Sequence, residues 1–211
     1  GQLIAGPLSD RFGRKPTMLI GTTLQAVFIS LILLTQNIAV FIIMRFFQGL
    51  AVALLTVSAR TMLSDLFSGD TFKKKINLMT ISWALGPIIA PAIGGYLQHY
   101  FGWQATFIMM LGYVFSILLF VLMTTETHQN KQPLKFPAMI KTYTSLATNT
   151  SFILSMLFGG VLAGFITLFN IIAPFLVQTQ LHHNAIYYGH IALSMGLAWF
   201  LGNSVNRLLF H

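Results

Sequence analysis

Two runs of the chain, residues 76–125 and 142–206, contain no Asp, Glu, Lys or Arg. A soluble domain carries about 25% charged residues and cannot cover its surface without them. Here the whole chain is 8% charged and 55% hydrophobic. A helix crossing a bilayer needs about 20 mostly apolar residues, so each charge-free run is too long for one crossing and must fold back. Polar breaks mark where: residues 98–102 in the first run and 178–184 in the second. The spacing predicts spans over 76–97, 103–123, 151–177 and 187–209, preceded by 17–35 and 38–63 on either side of Gln36 and Asn37. Residues 1–5 read as the tail of a helix that begins before residue 1. The expected class is an all-α membrane protein with six full spans.

The charges that remain alternate from loop to loop. Arg11, Arg14 and Lys15, then Lys73, Lys74 and Lys75, then Lys131, Lys135 and Lys141 fall on one side, with Arg60 and Arg207 at the span ends facing them. Eleven of the twelve Lys and Arg therefore share a side, and the positive-inside rule makes it cytoplasmic. This clustering between apolar spans, rather than along an aromatic basic face, rules out nucleic acid as the reason for the net charge of +8. No cysteine is present, so disulfides and thiolate metal sites are excluded. The four carboxylates all sit in loops, with no embedded base or nucleophile pair; an enzyme is not expected, nor a cofactor or a metal. The longest polar connection, 124–150, divides the chain into a bundle over 1–123 and the start of a second over 151–211.

Three stretches carry chemistry. The first is Gly6-x-x-x-Asp10-Arg11-x-Gly13-Arg14-Lys15, followed by Pro16. Gly6 and Gly13 permit unusual dihedrals and close approach, and Pro16 suits the first turn of a helix. The charges can serve a solvated turn that only fixes topology, or a device that holds one conformation and releases in another. The second is Arg45, about seven residues inside an apolar span, with Gln48 and Gly49 after it. An embedded charge costs about 2.5–3.5 kcal/mol on insertion scales. Arg45 either snorkels to the outer interface or faces the bundle interior to tune a proton site. The third is Gly86-Pro87-x-x-Ala90-Pro91-x-x-Gly94-Gly95, two prolines and three glycines within one span. Such a segment either packs closely or acts as a hinge and seal, its freed backbone groups met by neighbouring helices. Weaker features are the Gly160/Gly164 packing pair, Phe165, Phe169 and Phe175 as lipid-facing or cavity aromatics, His182 and His183 in an outer loop, and His190 just inside the last span.

The opening stretch resembles the signature loop of the major facilitator superfamily, which joins that family's helices 2 and 3 on the cytoplasmic side. Arg45-x-x-Gln48-Gly49 resembles the family's fourth-helix motif. The Gly86–Gly95 run resembles the fifth-helix motif of drug–proton antiporters, with Ala90 standing where Gly is usual. Pro87 and the run Asp65-Leu66-Phe67 are similar to the bicyclomycin- and chloramphenicol-resistance subfamily. The resemblance implies a helical bundle running from the end of helix 2 through helix 8 of twelve, in a bacterial inner membrane. It implies a monomeric carrier that exchanges protons for small amphipathic drugs by alternating access. It also implies roles: a conformational switch for Gly6, Asp10, Arg11, Gly13, Arg14, Lys15 and Asp65, in which Arg14 pairs with Asp65 as the family's charge relay does; proton coupling for Arg45, Gln48 and Gly49; an antiporter hinge for Gly86, Pro87, Pro91, Gly94 and Gly95. The titrating acid of that subfamily lies in its first helix. The alternative is a carrier of the same fold for a metabolite such as a sugar or amino-acid derivative.

Overall fold

The computed structural model describes residues 1–128 and 136–209; the side chains at 83–84, 87–88, 136–139, 199–200, 202–204 and 206–209 lie outside that description. Lys131 and Lys135, and the side chains of Pro87 and Arg207, therefore fall outside it. Among the described residues all regular structure is helical: α1 (Gln2–Phe12), α2 (Arg14–Leu34), α3 (Ile38–Leu66), α4 (Gly69–Phe101), α5 (Trp103–Met123), α6 (Phe136–Ala147), α7 (Thr150–Phe175) and α8 (Ala185–Leu209), with a π-helical turn, Leu176–Gln180, after α7. A helix meets the demand of lipid that every backbone N–H and C=O be paired, because its bonds close within the segment.

Four of these are long and apolar enough to cross a membrane: Arg14–Leu34, Ile38–Leu66, Trp103–Met123 and Thr150–Gln180. The other two spans expected from the sequence fall in α4 and α8, each of which includes side chains outside the description. The chain is a multi-pass membrane protein. Its helices overrun the spans read from hydropathy. Lys73, Lys74 and Lys75, expected in a loop, lie in the opening turns of α4, and Arg60 lies inside α3. The reason is that α4, at 33 residues and about 1.5 Å per residue, is far longer than the roughly 30 Å of hydrocarbon. Its surplus continues the backbone ladder in the polar zone, where charge costs little. Within the connection 124–150 lies the short helix α6, which the hydropathy pattern did not mark.

Chain breaks are capped as their residue types suggest. Asn37 Oδ1 accepts from the backbone N–H of Ala39 at 2.8 Å, which starts α3 sharply after the Gln36-Asn37 break. Asn149 Oδ1 accepts from Phe152 N at 3.1 Å and starts α7.

The structure forms two compact units. One comprises Gly1–Gly86 with Tyr100–Leu134, the other Pro87–His99 with Lys135–His211. In the first, α2 is the central helix. Met18 from α2, Met62 from α3 and Val121 from α5 form a buried cluster, flanked by Leu19, Leu55, Ala59 and Ile117. Gly21 lets α2 and α3 touch: a Cβ there would lie 2.9 Å from the Ala51 carbonyl oxygen and from Leu54 Cβ. In the second unit, Ala173, Val177, Tyr188 and Ala192 pack α7, the π turn and α8 together.

Candidate functional site

The turn between α1 and α2 is one residue, Gly13, at φ +104°. An L side chain rarely adopts that angle. Any Cβ at this position would also run into the Glu126 carboxylate. Glycine is thus demanded twice, by backbone and by neighbour. The turn delivers Arg14 to the first position of α2, where its side chain is only 7% exposed.

Three of the protein's four carboxylates converge on this residue. Arg14 Nη1 donates to Asp10 and, at 3.2 Å, to Ser9 Oγ. Nε donates to Asp65 Oδ2 at 2.9 Å. The Arg14 backbone N–H donates to Glu126 Oε1 at 3.0 Å, and the Lys15 N–H to Oε2 at 3.2 Å. These are free N–H groups of a helix N-terminus, and a carboxylate there is favoured by both hydrogen bonding and the helix dipole. Lys15 Nζ reaches the Leu122 carbonyl at 3.0 Å, at the opposite, electronegative end of α5. Ser58 Oγ donates to Ser9 Oγ at 3.0 Å, both fully buried, tying α3 to α1 beneath the charges. One guanidinium and one helix end therefore join α1, α2, α3 and the segment after α5.

Asp10, Gly13, Arg14, Lys15 and Asp65 are brought together here. Gly6 has open space around it, and Arg11 lies over the Phe12 ring, 5.2 Å to the centroid; neither enters the cluster. Ser9, Ser58 and Glu126 were not singled out from sequence. For the serines no sequence signal existed. For Glu126 there was one: it is the sole acid after Asp70.

Burial raises the Glu126 carboxyl, but backbone N–H donors from His128, Arg14, Lys15 and Thr127 outweigh it and hold the group below the ordinary carboxylate range. A depressed acid contributes stability that is complete above its unfolded value and is lost as pH falls through the lowered one. Glu126→Gln is expected to cost about 1 kcal/mol at neutral pH, because its NH2 would face the Lys15 N–H donor. The variant should also lose part of the wild-type stability decline between the ordinary carboxylate value and the lowered one. Thermal denaturation in detergent across that acid range is the check; parallel wild-type and variant curves would refute this role.

The second motif lies on α3. Arg45 Nη1 donates to Gln48 Oε1 at 2.8 Å, one turn apart, and Arg45 Cζ stands 5.7 Å from the Phe107 centroid of α5. Gln48 is buried and its Nε2 points to Met110 Sδ at 3.4 Å. Gly49 has open space beside it.

The third motif meets α8. A Cβ on Gly95 would stand 2.5 Å from the Ala185 carbonyl oxygen, and one on Gly189 would stand 2.9 Å from Ala92 Cα. The two backbones touch through reciprocal glycines beside Pro91. Next to this crossing, Tyr96 Oη and His190 Nε2 are 2.9 Å apart, and Gln98 Nε2 reaches Gln178 Oε1 at 3.5 Å. Gly86 and Gly94 have open space beside them.

The family profile of the Major Facilitator Superfamily matches residues 1–210, and the chain belongs to that superfamily, a family of transporters rather than enzymes. It is 34% identical over 181 residues to the bicyclomycin resistance protein homolog of Haemophilus influenzae, covering 82% of this chain and 45% of that protein. It is 31% identical to the multidrug transporter MdfA of Edwardsiella ictaluri, covering 79% and 40%. Multidrug resistance protein D of Escherichia coli is 30% identical, covering 76% and 41%. The chain spans less than half the length of these curated relatives.

Proposed function

We propose that this chain is part of a bacterial inner-membrane efflux transporter that exports small amphipathic drugs in exchange for protons. The observation that carries the reading is the Arg14 cluster. Its residues sit on the cytoplasmic side by charge distribution and clamp four chain segments with bonds that can be made and broken together, the kind of bistable element alternating access requires. The names of the relatives, drug-resistance and multidrug transporters, supply the substrate class. In this reading residues 1–123 form one bundle, 124–150 the cytoplasmic connection and 151–211 the start of the other. The α4–α8 contact through Gly95 and Gly189 then joins helices on either side of that connection, as a seal against leak, with Pro91 beside it. The working unit is a monomer.

The test uses the whole protein expressed in an efflux-deficient bacterium, following accumulation of chloramphenicol and bicyclomycin with and without a protonophore. Lowered accumulation that the protonophore restores is the expected result. Unchanged accumulation, with the protein present in the membrane, would overturn the drug assignment and favour a metabolite.

Arg45 and Gln48 are placed in proton coupling because a guanidinium fixed by a buried amide sets the field on that face of α3. Arg45→Lys is expected to lower proton-driven export at least about tenfold, since a point charge cannot keep both the Gln48 bond and the Phe107 contact. Drug binding should survive in the variant. Normal coupling in Arg45→Lys vesicles would remove Arg45 from the mechanism.

A further inference from the structure

His190 is an ionisable side chain that the reading above leaves unused. It lies about 8 Å into α8, counted along the helix from Ala185. An ionisable group within a membrane helix is costly and marks a site, to be read together with its partner. That partner is Tyr96 of α4, whose Oη stands 2.9 Å from His190 Nε2, the ring centroids 5.9 Å apart. The two close-approach glycines place the pair, since Gly95 precedes Tyr96 and Gly189 precedes His190. With backbone against backbone at both glycines, the two rings are delivered to one spot, and whatever changes their bond acts at the helix crossing. Both side chains are exposed there rather than sealed between the helices.

Few other titratable groups stand on the elements packed against α8. α4 supplies Tyr96 and, one turn on, His99; α7 and the π turn supply none. The connection into α8 adds His182 and His183, and α8 itself adds Tyr187 and Tyr188. Tyr187 stacks on His183, 4.2 Å between ring centroids, and Tyr188 Oη turns to Asn170 Oδ1 at 3.4 Å. The nearest Lys and Arg along the two helices, Lys75 and Arg207, are about 30 and 25 Å from the pair. Asp70, the sole acid in the sequence of these elements, is farther still along α4.

This choice of partner suits a ring that takes up a proton and gives it back. A carboxylate would hold the imidazolium as an ion pair, and a backbone N–H or C=O would serve one charge state alone. A hydroxyl both donates and accepts. Tyr96 donates to a bare Nε2 on the neutral ring and accepts from Nε2–H on the charged one, so the pair survives in both states with its direction reversed. We propose that His190 is a proton-accepting site of the carrier and that Tyr96 is the hydroxyl serving both of its charge states. A hydronium ion at the end of the helices away from the basic loops gives its proton to a bare ring nitrogen, leaving water and an imidazolium. Return of that proton to water restores the neutral ring. The site deepens the proton-exchange reading and rests on it for what the proton drives.

The test uses the whole protein in lipid vesicles, labelled with nitrogen-15 histidine, the His190 signals being those lost in His190→Gln. As pH falls from about 8 to about 5, the interval over which imidazole changes charge, one bare and one protonated nitrogen signal are expected to converge on the protonated type. Tyr96→Phe keeps the ring and removes the hydroxyl, and should displace the midpoint of that change. Gln at 190 separates a proton site from a merely structural bond, because its amide can still pair with Tyr96 Oη but takes no proton. Chloramphenicol export by His190→Gln is expected to vary at least about threefold less with outer pH over that interval than export by the wild type. A His190 signal that stays unmoved would overturn the site, and the same course in Tyr96→Phe would overturn Tyr96 as its partner. An unaltered pH profile in His190→Gln would overturn the use of the site in export. If the wild type exports no drug, the drug-export reading falls, and the nitrogen signals still decide whether His190 takes the proton.

Discussion

Arg14→Ala is expected to destabilise the first unit by roughly 2–4 kcal/mol, a figure below that for a fully buried ion pair because the two acids keep some water, and to abolish the export proposed above. The loss has two sources. Asp65, 24% exposed, loses its Nε–H donor, and Asp10 and Ser9 lose Nη1. Two carboxylates that were held by one cation are then left close together, and like charges in a partly desolvated pocket repel. Arg14→Lys should keep the fold better but not the activity. An ammonium is a single point, whereas the guanidinium sends Nε one way to α3 and Nη1 another to α1. Asp65→Asn should lose export with a smaller drop in stability, because an amide oxygen can still accept from Nε–H. A double-mutant cycle between Arg14 and Asp65 would isolate their coupling. Accumulation assays and thermal denaturation of purified variants are the measurements. Wild-type export by Arg14→Ala would exclude the cluster from the transport cycle.

The second large effect is expected at Gly95. Gly95→Leu forces a side chain onto the Ala185 carbonyl, which is backbone and cannot rotate away. The helices must separate by more than an ångström, and overpacking of this kind costs roughly 1–3 kcal/mol. The functional cost should exceed the structural one: the protein is expected to be inserted but to leak protons or fail to export. Gly94→Leu is the control. Space is open beside Gly94, so its variant should lose far less, on the order of 0.5 kcal/mol or below. Proton flux into vesicles, read with a pH-sensitive dye, distinguishes the two. Equal behaviour of the two variants would remove the α4–α8 crossing from the seal.

Much of this was legible beforehand for physical reasons. Charge is so costly in hydrocarbon that its absence over 76–125 and 142–206 calls for membrane helices. The bond between Arg14 and Asp65 was expected from the resemblance of the opening stretch to the family's signature loop, not from composition or spacing. The helical content of 124–150 was not: a short amphipathic helix among lysines and prolines has neither the length nor the apolarity that marks a span.

Composition and hydropathy alone, then, determined the class and the four helices long and apolar enough to cross a membrane, since these depend on the solvent and not on which helix neighbours which. Only the tertiary structure could decide that Glu126 crosses from the end of α5 to cap α2, because that bond joins residues 112 positions apart. It alone also distinguished Gly95 from Gly94. The two are adjacent in sequence and identical in chemistry, and a helix turns them about 100° apart, so one meets a carbonyl of α8 and the other does not.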